Sequence, residues 1–229
     1  MSNDILERFV GDIVLENPKT ANVFTRHGID FCCGGQRKLS EALYDTKSLP
    51  ENILAEIESL KATEEETLQD STLTQLVNYI DKNHHKYLKQ KLPEISALLK
   101  RVRDVHGDNH PELFDIYDNF ITLKEELTAH IRKEEKDIFP LLKELDKDKK
   151  ALDNAKLGRI IKEIESDHQR AGKLFKSNKK LSHDYTQPKD ACTSYRLVYK
   201  LLKELEQETL LHIHLENNLL HPKVKAKLS

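Results

Sequence analysis

Apolar residues recur three or four positions apart from about residue 71 onward, a spacing that places them on one face of a helix. In the first stretch they are Leu73, Leu76, Val77, Ile80, Leu88, Ile95, Leu98 and Val102. The pattern predicts four long amphipathic helices, near 71–105, 111–146, 152–179 and 188–221. Because the connections between them are short, we expect an antiparallel four-helix bundle.

Turn signals support these limits. Gly107-Asp108-Asn109 precedes Pro111, and Ser182-His183-Asp184 precedes Pro188. Each combination is typical of a turn that is followed by a helix start.

The first sixty residues carry shorter helical segments with frequent breaks. Asn17-Pro18 is typical of a helix start and His27-Gly28 of a helix end. The acidic run Glu64-Glu65-Glu66 follows these segments. We therefore predict an all-α chain with a small N-terminal helical domain at 1–66 and the four-helix bundle at 67–229.

Composition excludes several classes of function. Charged residues make up 33% of the 229 residues and the net charge is only −2, with no dense basic stripe, so we expect no nucleic-acid partner. No apolar stretch approaches eighteen residues and the N-terminus lacks a signal-peptide pattern, so we expect neither a membrane partner nor export. Three cysteines, two of them adjacent, do not form a disulfide framework, which favours a reducing, cytoplasmic location.

A repeat in the bundle region carries the candidate chemistry. In each half, a histidine is followed 44 or 45 positions later by a second histidine, then by a glutamate four positions on and a proline six further. The repeated residues are His85, His130 and Glu134 in the first half and His168, His212 and Glu216 in the second. When each helix pair folds at its turn, its two histidines lie at one height, and a His and a Glu four apart share one helix face.

Four imidazoles and two carboxylates are thereby predicted to meet in the bundle core. These donors suit iron or manganese better than a thiolate-seeking metal, and two carboxylates among four histidines suit a pair of ions, with each glutamate bridging. The alternative is that they are ordinary polar residues on solvated helix faces. A single His–Glu pair would leave that alternative open, whereas the duplicated pattern with matched turns argues against it.

The segments around the repeat resemble the hemerythrin-like domain and, more closely, the di-iron repair-of-iron-centres family of the ScdA/YtfE type. The matching segments are His130–Glu135 with Phe139-Pro140, Asp167-His168 with Ala171-Gly172, His212 with Leu215–Asn218, and Asp30–Gly35 for the family's short N-terminal domain. The resemblance covers nearly the whole chain. It departs at His221, where the family usually has phenylalanine.

The resemblance implies a ligand set, a cofactor and a function. The implied ligands are His85, His130, Glu134, His168, His212 and Glu216, holding two oxo-bridged iron ions per chain. The implied function is repair of iron–sulfur clusters damaged by nitric oxide or oxidative stress, with damaged iron–sulfur proteins as partners, nitric oxide or oxygen species as small ligands, and a homodimer as the assembly. Two mechanisms stay open, namely iron donation to the damaged cluster and enzymatic reduction of nitric oxide at the di-iron centre.

Two other functions compete with repair. A hemerythrin-type carrier or sensor of oxygen or nitric oxide uses five histidines, and a double-cysteine domain has no place in a simple carrier. A metal-free interaction bundle would require the repeat to be accidental.

Several residues near the repeat have competing interpretations. The upstream apolar stripe points at His84, but the repeat and the downstream spacing favour His85, which we choose. His106 is interpreted as a turn cap, with a fifth ligand or a hydrogen-bond donor to a ligand as the alternatives. His214 lies about 200° around the helix from His212 and is expected on the surface. We also expect exposed side chains at His110, His183 and His221 and a core position for Cys192. For Glu163 we expect a solvated carboxylate, with a place along an access path to the site as the alternative.

Cys32 and Cys33 directly precede Gly34-Gly35. The glycine turn is expected to keep both thiols accessible, which favours redox or metal-linked chemistry; the alternative is that they are small buried apolar groups. Because thiolates match an imidazole and carboxylate site poorly, we expect these redox thiols to support repair without binding the iron pair.

Overall fold

The computed structural model describes residues 2–60, 68–147 and 154–228. Within these ranges the chain forms helices joined by turns and loops, without strands apart from one isolated bridge between Phe9 and Lys38, which confirms the all-α fold class. The predicted domain boundary at 66 lies outside the described residues and stays a prediction. Backbone contacts divide the chain into two compact units, Met1–Val77 with Leu210–Ser229 (the first unit) and Asn78–Thr209 (the second unit).

The first unit contains five short helices before residue 60. They are α1 (Ser2–Leu6), α2 (Val10–Glu16), α3 (Thr20–His27), α4 (Leu39–Leu43) and α5 (Pro50–Ser59). Helix α3 ends where the sequence predicts, because Gly28 takes a φ of 72° and its N–H donates to two carbonyls of the last turn. The start lies two residues after Pro18, and the Asn17 side chain accepts the N–H of Lys19 at 3.2 Å just before it.

The core of the first unit joins these helices to the C-terminal segment of the chain. Its buried apolar side chains include Val10, Ile13, Val14, Val23, Phe24, Ile29, Phe31, Leu39, Ile53, Ile57, Leu219, Leu220 and Val224. Backbone bonds from Val10 to Arg37 (3.0 Å) and from Gly11 to Gly35 (2.9 Å) fix the loop that carries the cysteine pair against the start of α2.

Seven further helices follow in the residues that the structure describes. They are α6 (Leu73–Ile80), α7 (Lys86–His106), α8 (Glu112–Lys133), α9 (Phe139–Asp146), α10 (Asn154–Leu181), α11 (Thr193–Leu215) and α12 (His221–Leu228). In the second unit α8 packs against both α7 and α10 through apolar faces. None of the described helices is both long and apolar enough to cross a membrane.

The fourth predicted helix starts later than expected. It begins at Thr193, because Pro188–Ala191 forms a turn closed by the N–H of Ala191 on the carbonyl of Pro188 at 3.1 Å. The predicted turn before it is present, with His183, Asp184 and Tyr185 in the left-handed region at φ between 50° and 59°.

Three wide π-helical turns interrupt the bundle helices, at Asp81–His85, Glu134–Ile138 and Glu216–Leu220. In each, a backbone N–H donates to the carbonyl five residues earlier. The second and third turns lead into Pro140 and Pro222, which have no N–H to continue an α-helical bond. Each turn has a predicted ligand at one end, and such turns are frequent at functional sites.

Candidate metal centre

The second unit gathers three imidazoles and one carboxylate into a cluster. Nε2 of His85 and Nε2 of His130 each lie 3.2 Å from Oε2 of Glu134, and Nε2 of His168 lies 3.3 Å from Nε2 of His130. All four side chains are buried. Residues from three helical segments therefore point their ligand atoms at one place.

Carboxylates meet the opposite nitrogens of two of these rings. Nδ1 of His85 lies 3.0 Å from Oε1 of Glu135, and Nδ1 of His130 lies 3.6 Å from Oδ2 of Asp167. The interaction with His130 is the main cause that holds the pKa of Asp167 below its usual value, so Asp167 is charged near neutrality. A carboxylate at Nδ1 favours the tautomer protonated there and leaves the Nε2 lone pair available to a metal ion.

The first unit holds the remaining predicted pair. Nε2 of His212 lies 2.9 Å from Oε1 of Glu216, one helical turn further along, and both side chains are buried. The π-helical turn begins at Glu216, as the corresponding turn of the second unit begins at Glu134.

The donor set fits a metal cation. All six predicted ligands are buried, which removes the alternative that they belong to solvated helix faces. Buried carboxylates need compensating positive charge, which a cation supplies. Imidazole nitrogen and carboxylate oxygen without sulfur suit iron or manganese.

The two adjacent histidines before α7 contact different partners. His85 contacts Glu134, whereas Nδ1 of His84 lies 2.6 Å from Oε1 of Glu208. Both rings are buried, so burial alone does not distinguish them. The contacts do, and they favour His85 as the ligand.

The cysteine pair lies in a tight loop of the first unit. Cys32 is buried and Cys33 is partly exposed, and their sulfurs lie 3.9 Å apart without a disulfide. The hydrogen bond with Cys33, burial and the Asp30 charge all raise the pKa of the Cys32 thiol, in that order of size. The expectation that both thiols are accessible is therefore wrong for Cys32.

Comparison with known proteins decides the family. The hemerythrin HHE cation binding domain matches residues 76–224, and the ScdA N-terminal domain, described as a domain of unknown function (DUF542), matches residues 6–61. The iron-sulfur cluster repair protein ScdA of Staphylococcus epidermidis is 32% identical over 222 residues, which covers 95% of this chain and 98% of that protein. The iron-sulfur cluster repair protein YtfE of Escherichia coli O8 is 31% identical over 219 residues, which covers 95% and 96%.

This chain belongs to the ScdA/YtfE family. Its hemerythrin domain is a cation-binding domain, and all six predicted ligands fall within that match. The cysteine pair falls within the match to the family's N-terminal domain.

Two histidines that were expected to be exposed are buried in this ScdA/YtfE-family chain. His214 is 1% exposed, and its Nδ1 lies 3.1 Å from the carbonyl oxygen of Phe31. Burial lowers the pKa of His214 to about 4, so its ring is neutral. His221 is also buried, at 4% exposed. The helical segment that carries these two histidines is therefore buried on faces where solvent was expected. Both expectations were wrong for this reason.

Residues at the other end of the bundle lie far from the ligands. His106 ends α7, roughly 30 Å along the helix axis from His85 at 1.5 Å per residue, so it is not a fifth ligand. Its Nε2 lies 3.2 Å from Sγ of Cys192, which is exposed rather than in the core because it precedes the start of α11. His110 is partly buried, with Nε2 3.1 Å from Oδ2 of Asp190, rather than exposed.

Two further expectations are confirmed. His183 is exposed. Glu163 is solvated, with its Oε2 2.6 Å from Nζ of Lys133 at the surface.

Proposed function

We propose that this chain repairs iron–sulfur clusters damaged by nitric oxide or oxidative stress, with two iron ions held by His85, His130, Glu134, His168, His212 and Glu216. The observation that carries the proposal is the convergence of two Nε2 atoms on one buried carboxylate oxygen, with carboxylates at the opposite ring nitrogens. The names of the relatives, which are iron-sulfur cluster repair proteins, support the same function.

Each group has a role in this proposal. Glu134 and Glu216 would supply the carboxylate ligands of the two ions, and the four histidines would supply the imidazole ligands. Glu135 and Asp167 orient the rings of two of those histidines. When bound, the iron pair supplies labile iron for a damaged cluster and a place at which nitric oxide binds.

The surroundings of His85 limit access of water to the ligands. Its ring stacks on Phe139 with centroids 5.3 Å apart and planes 7° apart, and both side chains are buried. An apolar wall of this kind keeps the local dielectric low and strengthens the interactions of the carboxylates with a cation. A cytoplasmic location and a homodimer are part of the proposal and rest on cysteine usage and on the resemblance.

Reactivation of a dehydratase whose iron–sulfur cluster has been damaged with nitric oxide tests the function. The full chain is loaded with iron-57, washed and added without oxygen or other iron. Recovery of activity with iron-57 in the repaired cluster supports iron donation. Recovery with consumption of nitric oxide and no label transfer supports reduction of nitric oxide.

The control keeps the chain folded and the ligands intact. Glu163→Ala alters an exposed glutamate of the same bundle and should reactivate the dehydratase as well as the unaltered chain does. Failure of iron-loaded protein to restore activity, together with reversible binding of oxygen or nitric oxide, would favour the carrier or sensor instead.

A further inference from the structure

A second group of metal-binding atoms lies outside the six ligands. Asp30, Cys32 and Cys33 each offer one ligand atom, and these atoms lie within 4.8 Å of one another. Sγ of Cys32 is 3.3 Å from Oδ1 of Asp30. The group lies entirely within the first unit.

The separation of the two sulfurs matches a shared ion. A disulfide would require about 2.05 Å, far less than the observed 3.9 Å. Two thiolates that bind one ion at about 2.3 Å with a tetrahedral angle lie roughly 3.8 Å apart. The two sulfurs therefore stand at the spacing that one tetrahedral ion needs.

Hydrogen bonds hold this loop in place without a metal ion. Oδ1 of Asp30 accepts the N–H groups of Cys32 at 3.1 Å and Cys33 at 2.9 Å. Nδ2 of Asn218 donates to the carbonyl oxygen of Cys32 at 3.0 Å. A Cβ added to Gly35 would lie 2.3 Å from Oδ1 of Asn218, so a side chain at this position would displace the Asn218 amide from the loop. The backbone that carries the two cysteines is thus held in place by its own hydrogen bonds.

We propose that Asp30, Cys32 and Cys33 form a separate site for one thiophilic divalent ion, zinc(II) or iron(II), bound by two thiolates and one carboxylate oxygen. Binding releases the two thiol protons to solvent, so that two S–H bonds are replaced by two metal–sulfur bonds. Three protein ligands leave a fourth tetrahedral position for an external ligand. Cys33 and Asp30 are not fully buried, which gives the ion a route to solvent.

The chemistry of this site suits transfer rather than permanent storage. An open position lets an incoming thiolate or sulfide bind before the protein ligands release the ion. On the proposed repair function, this site would hold iron in passage to a damaged cluster; the site itself does not depend on that function.

Cobalt(II) titration of the full chain tests the site. The protein is first loaded with iron at the bundle ligands, treated briefly with a chelator to strip exposed ions, and then titrated with cobalt(II) without oxygen. We expect one cobalt per chain and a sulfur-to-cobalt charge-transfer band in the near ultraviolet. Cobalt(II) bound by imidazole and carboxylate alone gives no such band, and the absorption of the iron pair is removed by subtracting the spectrum recorded before the titration.

Matched variants assign the band to its ligands. Cys33→Ser and, separately, Cys32→Ser should abolish it, with bundle iron content and circular dichroism showing that the chain is folded. Asp30→Asn keeps an oxygen for the loop hydrogen bonds and removes the charge, and should weaken cobalt binding about tenfold. Cys192→Ser removes the third, distant thiol and should leave the band unchanged.

Three results would overturn the proposal. They are absence of the band in the unaltered chain, its persistence in Cys33→Ser, and one cobalt per two chains, which would make the site a bridge between chains. If neither zinc(II) nor iron(II) displaced cobalt, the proposal that the site binds one of these two ions would be wrong. Dehydratase reactivation, measured separately, distinguishes these failures from failure of the repair function.

Discussion

The buried His–Glu ligands and the Asp30–Gly35 loop differ in donor atoms, burial and number of ligands. The first set offers nitrogen and oxygen from buried side chains, whereas the loop offers two sulfurs and one carboxylate with one thiol partly exposed. Nitrogen and oxygen donors in a closed core favour retention of iron, and few sulfur donors near solvent favour exchange. On these two proposals, one chain carries two ligand sets suited to different tasks.

The two regions are also positioned by different means. Helical spacing and carboxylates such as Glu135 orient the imidazoles. In the loop, backbone hydrogen bonds from Asp30 and Asn218 and the close approach at Gly35 set the sulfurs. Changes in one region should therefore leave the metal chemistry of the other largely intact.

The largest effect is expected from loss of a bridging carboxylate. The unaltered chain should retain two irons after a chelator wash, and Glu134→Ala or Glu216→Ala should lose the magnetic coupling of the pair and at least one iron. Helical content should persist, because apolar faces rather than metal supply most of the burial in the bundle. Iron analysis, Mössbauer spectroscopy and circular dichroism measure these effects.

The control for both variants is Glu163→Ala, which removes a carboxylate that is 62% exposed and should retain two coupled irons. A strongly coupled diferric pair in either Glu134→Ala or Glu216→Ala would show that the carboxylate does not bridge. One iron per washed unaltered chain would contradict the paired site.

The adjacent histidines offer a second matched test. His85→Ala should lose iron, because its Nε2 lies beside Glu134, whereas His84→Ala should retain it, because His84 contacts Glu208. Iron content after the same wash measures both. The opposite ranking would assign the ligand to His84.

A smaller effect is expected from Glu135→Gln. The amide replaces a charged acceptor at Nδ1 of His85, so the basicity of that ring falls and iron affinity should fall about tenfold. Competition with a chelator measures the affinity. Glu94→Gln, a change at an exposed glutamate paired with Lys91, is the control, and equal affinities in the two variants would remove the role of Glu135.

The predicted and observed structures agree where helical periodicity alone determines the outcome. The repeat placed His130 and Glu134 on one helix face because residues four apart lie on adjacent turns, and Glu134 lies 3.2 Å from that ring. The bounds of the bundle helices were predicted to within a few residues where Gly or Pro marks the end. The last helix was predicted to begin at Pro188 but begins at Thr193, because Pro188 begins a turn instead.

Other features depend on packing that no local pattern contains. His214 is buried because the Phe31 loop covers the helix face opposite His212, a contact over a long sequence distance. The π-helical turn before Pro140 could have been inferred, since proline inside a helical pattern removes a donor. The corresponding turn at Asp81–His85 is not followed closely by a proline, so the sequence does not predict it.

The smallest effect on iron, and the sharpest test of the comparison, is expected from the double variant Cys32→Ser with Cys33→Ser. Serine keeps the size of the side chain and the hydrogen bonds of Asp30 to the loop backbone, so the first unit should remain folded. The washed variant should retain two irons and an unchanged optical spectrum, because sulfur is absent from the proposed ligand set of the iron pair.

Its ability to reactivate a nitric-oxide-damaged dehydratase should nevertheless fall, because the thiols that would pass iron to the client are gone. The single variant Cys192→Ser controls for general loss of thiols and should repair normally. If the double variant lost the iron pair, the cysteines would be ligands of that pair or essential to its fold. If it retained both iron and full repair, Cys32 and Cys33 would serve only as packing groups in the first unit.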